Sequence, residues 1–404
     1  MIMAEAFRAV KVTDKVYWVG AIDWGLRDFH GYSTELGSSY NSYLVVDNKT
    51  ALFDTVKCNF LREHVGNIRE VIEPSKIDYL IVNHVEMDHS GCIPEIVKLI
   101  QPEKIFCSQM AVPALERHFH DIKDWPINVV KDGDSISLGK RTVQFLETRM
   151  LHWPDSMVSY LKEDRALISS DIFGQHWATS ERYDDEVDFS ELIHQASKYY
   201  NNIVLPYSPL VQKLIARIGE AGLKFDLLLP DHGLIWRKHI GDIVSNYDKW
   251  SKQIAQRKAT IIYDTMWHST EMMANAIADG LIDQGICTKV MNLAVNHRSD
   301  IITEIVDSKA VLFGSPTLNN GVLPRVADMM SYLKGLRPEG KIGASFGSFG
   351  WGGESVKIMN SELEAMKIPL VDDGIKIKYV PTHDELGKCR ELGVKVGKAI
   401  KGDV

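Results

Sequence analysis

The stretch VNHVEMDHSGC, residues 82–92, places His84, Glu86, Asp88 and His89 within six consecutive positions. In an extended segment, residues 84, 86 and 88 project to one side. Donors this close crowd a single tetrahedral ion. They divide readily between two ions, with His84 and Glu86 on one and Asp88 and His89 on its neighbour. Further donors follow later in the chain: His152 in TRMLHWPDS, Asp171 at the end of ALISSD, and His232 in LLLPDHG. Each comes after an apolar run, and open sheets place their sites at strand ends. Of the 14 histidines, at least half must serve other ends, so the clustering carries the reading rather than any one histidine. Cys92, beside the cluster, reads as a small buried thiol.

A second constellation lies in IIYDTMWHSTEMMANAI, which reads as strand, loop and helix. The loop Thr265, Met266, Trp267, His268, Ser269, Thr270 is rich in hydroxyls and opens a helix, whose free N–H groups favour an anion. The chain has neither G-x-x-x-x-G-K-[ST] nor G-x-G-x-x-G, which disfavours a triphosphate or a dinucleotide. Hydroxyls and amides without a lysine suit a single phosphate, as in FMN. Two later loops also end strands: GSPTLNNG, with Pro316, Thr317, Leu318, Asn319 and Asn320, and GSFGWGGES, with Ser348, Phe349, Gly350, Trp351, Gly352 and Gly353. Such loops would flank an isoalloxazine ring, Trp351 stacking on it and the glycines admitting close approach.

The elements that position these residues follow two grammars. Up to about residue 250, short β-rich runs (VYWVGAI, SYLVVD, TALFDTV, YLIVNH, KIFCS, TVQFLET, SMVSYL, ALISSD) mix with helices such as LREHVGNIREVI, CIPEIVKLI and FSELIHQASKYYNNI. This predicts sheets packed against helices, with ligands at strand ends. From about residue 258 the strands ATIIYD, CTKVMNL, AVLFGSP, KIGASFGSF and GIKIKYV alternate with helices, which predicts a doubly wound parallel sheet. The border falls in DKWSKQIAQRKAT, giving domains 1–255 and 256–404. Two domains suit 404 residues with 45% apolar and 25% charged content. A net charge of -8 without a basic stripe argues against nucleic acid. The N-terminal stretch MIMAEAFRAVKVTDKVYWVG lacks a signal-peptide run, and no window has the length of a membrane span, so a cytoplasmic protein is expected. The five cysteines form no C-x-x-C pair, so no rubredoxin-type iron site is expected in this chain.

The order H-x-[EH]-x-D-H, then His, Asp and His, resembles the ligand order of the metallo-β-lactamase superfamily. Hydrolases of that superfamily usually carry His where this chain has Glu86, and commonly bind zinc. A hard carboxylate there favours iron. With Asp171 as a bridge the chain offers four imidazoles and three carboxylates, a set suited to two redox-active irons. An iron-type β-lactamase domain followed by a flavodoxin domain resembles the flavodiiron proteins, or A-type flavoproteins. The resemblance covers essentially the whole chain. It implies a metallo-β-lactamase-like αββα sandwich followed by a flavodoxin-like doubly wound parallel sheet. By position it implies His84, Glu86 and His152 on one iron, Asp88, His89 and His232 on the other, and Asp171 between them. It also implies that His30, in RDFHGYS, and Tyr200, in KYYNN, act beside the site, with Tyr199 the alternative within that pair.

The resemblance further implies a head-to-tail homodimer or dimer of dimers, the FMN of one subunit facing the diiron site of the other. Electrons would pass from a reduced donor to FMN, then singly to the diiron pair, which reduces O₂ to water; some members reduce nitric oxide instead. Many members take electrons from rubredoxin. RDFHGYST, MLHWPDSM and YDTMWHST incline the reading to the compact branch that oxidises reduced coenzyme F-420, which would lie flat on the flavin near Trp351. A binuclear zinc hydrolase fused to an electron carrier is the remote alternative, and Glu86 argues against it. A bare flavodoxin carrier on an inert scaffold is opposed by the full ligand set.

Overall fold

The computed structural model describes residues 8–402, so the first seven residues of the N-terminal stretch lie outside the description. The backbone divides into two compact units: residues up to 200 with Tyr207–Asp248, and Asn201–Pro206 with Lys249 onward. The expected border at 255 thus differs from the division seen. The helix Ile240–Ser251 spans the division between Asp248 and Lys249. Just beyond it, Gln253 already belongs to the second unit, accepting from Glu339 N at 2.8 Å and donating to Arg337 O at 3.3 Å.

The first unit is built on a seven-stranded and a five-stranded sheet. Period-2 side-chain alternation makes the layers. In Tyr79–Val82, Leu80 and Val82 join the core under the helices Leu61–Val71, Ile93–Ile100 and Ala111–Phe119, while Ile81 enters the core between the sheets. Phe145, Met157, Ile168 and Leu229 of the second sheet supply the other side of that inner core. Tyr79–Val82 runs parallel to both Ala51–Phe53 and Lys104–Ser108, and Ala166–Ser170 runs parallel to Leu227–Pro230. The carboxyl ends of these strands lead to Asp54, His84, Asp171 and His232.

The second unit is a five-stranded parallel sheet in the order Cys287–Asn292, Gln256–Tyr263, Ser308–Gly314, Ile342–Phe349, Ile375–Lys378. These are the five strands expected from the sequence. Helix Ser269–Asp283 starts at the hydroxyl-rich loop and packs against the last helix, His383–Lys401. Glycines permit their close approach. A Cβ on Gly280 would lie 2.0 Å from Arg390 O, and one on Gly393 would lie 2.1 Å from Ile277 O. Gly393→Ala or Gly280→Ala therefore pushes backbone against backbone and should destabilise the second unit by roughly 1–3 kcal/mol. Scanning calorimetry checks this; a melt equal to that of the parent chain would disprove the close crossing.

Candidate functional site

Asp54, at the end of Ala51–Phe53, fixes the start of the ligand loop. Its Oδ1 accepts from Asn83 N and its Oδ2 from Asn83 Nδ2, both at 2.7 Å. From His84 the chain does not continue as the extended segment expected above. It turns into a short helix, Met87–Ser90. The amides of His89 and Ser90 both donate to Glu86 O at 2.9 Å, because an unpaired strand end satisfies its carbonyls by coiling. This turn re-aims Asp88 and His89. The later donors arrive from the second sheet. A register irregularity between Ile168 and Ser170 re-aims the chain just before Asp171.

The expected metal-type donors converge. His84, Glu86, His152 and Asp171 form one group, and Asp88, His89 and His232 another, each with donor atoms within 4.8 Å of one another. Asp171 stands between them. Its Oδ2 is 3.4 Å from His84 Nε2 and 3.2 Å from His152 Nε2. Its Oδ1 is 3.2 Å from His89 Nε2 and 3.4 Å from His232 Nε2. Glu86 Oε2 lies 3.1 Å from His152 Nε2, and Asp88 Oδ2 lies 3.2 Å from His232 Nε2. Hydrogen bonds on the far nitrogens orient two of the rings: His84 Nδ1 donates to Asp155 Oδ2 at 3.0 Å, and His232 Nδ1 to Ser39 O at 2.8 Å.

The electrostatics call for cations at the centre. Burial alone would lower the His84 imidazole, but hydrogen bonds to Asp155 and Glu86 and the charge of Asp171 hold it well above its usual value. His89, against the same burial penalty, is raised to about 10 by Asp88 and Asp171. Burial would raise Asp171, yet the charge of His89 and the hydrogen bond from His152 hold it well below the carboxylate range. Positive charge is thus favoured at His84 and His89, where the donors converge. Both oxygens of Asp88, Oδ1 of Asp171 and both oxygens of Asp231 are buried without a hydrogen bond. Orphaned carboxylate oxygens facing converging nitrogens fit hard divalent or trivalent ions.

His30 comes to the mouth of the cluster, its Nε2 3.5 Å from Glu86 Oε1, and helps line a cavity of about 530 Å³ with Phe29, Cys58 and Met87. Tyr200, expected beside the cluster, turns its hydroxyl towards helix Ser208–Glu220. Its hydroxyl shares a 2.9 Å hydrogen bond with Ser208, and its ring packs on Tyr247. Helix Phe189–Tyr199 ends just before it, and a wider turn, Tyr200–Val204, follows. Tyr199 faces the metal-type donors instead, its ring 5.1 Å from His176 and 6.0 Å from His232. Cys92 is the structural thiol expected, donating to Val56 O at 3.1 Å.

Sequence reasoning passed over His176, Asp155 and Asp231. His176 is buried with its ring 4.7 Å from that of His232, and Ser38 Oγ lies 2.8 Å from its Nδ1. Asp231 groups with His89 and Asp171. Asp231 and Asp155 stand inside the quoted motifs LLLPDHG and HWPDS, so their adjacency to His232 and His152 was the available signal.

The second unit holds a cavity of about 710 Å³. All the residues named above for the three loops line it except Thr265, His268, Thr270, Leu318 and Gly353. Tyr379 and Val380 also line it and were not foreseen. Of the non-lining residues, Thr270 bonds Ser348 Oγ at 3.1 Å and so stands behind the wall. Thr265 Oγ1 is buried without a hydrogen-bond partner, which suits a phosphate oxygen at the start of helix Ser269–Asp283. Trp267 and Trp351 stand at the cavity 86% and 91% exposed.

Residues 39–233 match the ODP family beta lactamase and residues 261–393 match flavodoxin. The chain is 47% identical over 397 residues to the rubredoxin-oxygen oxidoreductase of Megalodesulfovibrio gigas, covering 98% of each chain. It is 46% identical over 394 residues to the nitric oxide reductase of Moorella thermoacetica, covering 97% of this chain and 98% of that one. Among solved structures, the flavodiiron protein from Giardia intestinalis superposes with a TM-score of 0.94 at 35% identity, covering 98% of this chain and 97% of the other. With both units matched and identity of this order running over nearly the whole length, the chain belongs to the flavodiiron proteins.

Proposed function

We propose that the protein reduces O₂ to water, or nitric oxide, using two iron ions in the first unit and FMN in the second. The observation that carries this reading is Asp171, whose two oxygens face two separate sets of imidazoles. In this reading His84, Glu86 and His152 hold one ion, Asp88, His89 and His232 hold the other, and Asp171 bridges them. When bound, the irons supply one-electron redox chemistry and Lewis acidity, and FMN divides electron pairs from the donor into single electrons.

The remaining residues position substrate and protons. His30, 3.5 Å from Glu86 at the cavity mouth, passes protons inward in this reading. Tyr199 takes the role expected of Tyr200. Its phenol, protonated at neutral pH in any case, is held further from ionisation by burial and then by the charge of Asp171, so it can serve as a hydrogen-bond donor. Phe29, with its ring 5.2 Å from His176 and 6.3 Å from His232, narrows the approach and limits water. In the second unit the hydroxyl loop takes the FMN phosphate, and Trp351 covers the ring.

Rubredoxin is the donor favoured by the name of the 47% identical relative. Reduced coenzyme F-420 is the second reading, favoured by the motifs RDFHGYST, MLHWPDSM and YDTMWHST. A homodimer pairing the FMN of one subunit with the irons of its partner completes the proposal.

Protein purified from medium supplying both metals should hold about two irons and about one FMN per chain; two zincs without flavin would return the reading to a hydrolase. Tyr199→Phe should lower O₂ or NO turnover roughly tenfold or more, in the range of a lost proton donor. Tyr200→Phe should leave turnover alone and lower the melting temperature, through the lost bond to Ser208. Steady-state kinetics on both variants decide, and the opposite order would restore Tyr200. Oxygen uptake should be faster with reduced rubredoxin than with reduced coenzyme F-420; the reverse result would select the F-420 reading.

A further inference from the structure

One buried carboxylate outside the proposed ligands ties together the two loops that form the first metal group. Asp155 is 3% exposed. Its Oδ2 accepts from His84 Nδ1 at 3.0 Å and from Val85 N at 2.9 Å. Its own backbone is held by Ser108 Oγ, which donates to Asp155 O at 2.7 Å. It follows His152 by three positions in the same loop. A single oxygen therefore spans from the loop of His152 to the loop of His84 and Glu86.

The other imidazoles lack this arrangement. His232 Nδ1 donates to a neutral acceptor, Ser39 O, at 2.8 Å. His89 Nδ1 makes no hydrogen bond among the described residues, and the carboxyl oxygen facing it, Asp231 Oδ2, is 4.0 Å away. His152 meets Glu86 and Asp171 through Nε2. The outer shell is thus lopsided, with an anion at hydrogen-bond distance behind one imidazole of the first group and none behind those of the second. A carboxylate behind a ligating imidazole fixes its tautomer and raises its basicity. A more basic ligand favours the higher charge on the metal it binds.

We infer that Asp155 is a positioning residue that holds His84 with Nε2 towards the metal and, through its charge, makes the ion at His84 the harder of the two to reduce. This rests on the diiron reading above. The test is a redox titration of the holoenzyme followed by electron paramagnetic resonance of the half-reduced metal pair, with iron content measured alongside. The FMN midpoint, from the other unit, serves as internal control.

Asp155→Asn keeps an oxygen able to accept both hydrogen bonds and removes only the charge. It should retain iron and raise the more negative of the two metal midpoints. The gap between the midpoints narrows, and the maximum half-reduced signal falls, while the FMN midpoint stays. Asp155→Glu, which keeps the charge, should keep a gap close to the parent's. Asp155→Ala loses the tether as well and should weaken iron binding by roughly 10–100-fold. An Asn variant with the parent's gap and signal overturns the inference, as does a shift of the FMN midpoint by the same amount. Should the Asn variant fail to fold, the Glu variant decides: a preserved gap supports the inference and a collapsed one overturns it. A parent protein without iron is a different result, which defeats the diiron reading itself.

Discussion

The first unit is organised around buried carboxyl groups whose oxygens are left in part without hydrogen bonds among the described residues. Asp88, Asp171 and Asp231 are nearly inaccessible, and several of their oxygens have no hydrogen bond. Burying a carboxylate costs several kcal/mol unless a cation or donors answer it. Imidazoles alone answer it only by holding protons. The arrangement suits a ligand shell, and the surrounding structure serves to hold it. Parallel strand ends bring four segments to one edge, and Asp54 locks Asn83 so that His84 leaves its strand at a fixed angle. The register irregularity before Asp171 helps point that carboxylate between the two histidine sets.

The two sites solve opposite problems. The metal-type cluster is enclosed, built from short side chains on strand ends, and its geometry is over-determined by second contacts. The cavity of the second unit is open and lined by three loops, with backbone and hydroxyls rather than charges. That suits a flat cofactor that must meet a donor at its exposed edge, whereas the cluster suits small diatomic substrates.

The legibility of the chain follows the same division. The donors in VNHVEMDHSGC stood out because they are contiguous and follow a strand, and parallel β-α alternation made the second unit plain. The extended reading of residues 84–88 failed because a strand end without a partner coils to satisfy its own carbonyls. Tyr199 and Tyr200 were inseparable on paper, since one residue on a helix turns the side chain by only about 100°. His176, Asp155 and Asp231 act from loops, where no period marks the inward face. The border was blurred because the helix Ile240–Ser251 runs across the division at Asp248 and Lys249, short of residue 255, and the short segment Asn201–Pro206 belongs to the second unit against all sequence order.

The indoles of Trp267 and Trp351 stand 86% and 91% exposed at the mouth of one cavity. Each carries an apolar surface on the order of 150–250 Å². Whatever covers them removes that surface from water at about 25 cal/mol per Å². Covering them therefore lowers the heat capacity of the system, so occupation of this cavity leaves a calorimetric mark whose sign is set by the two tryptophans.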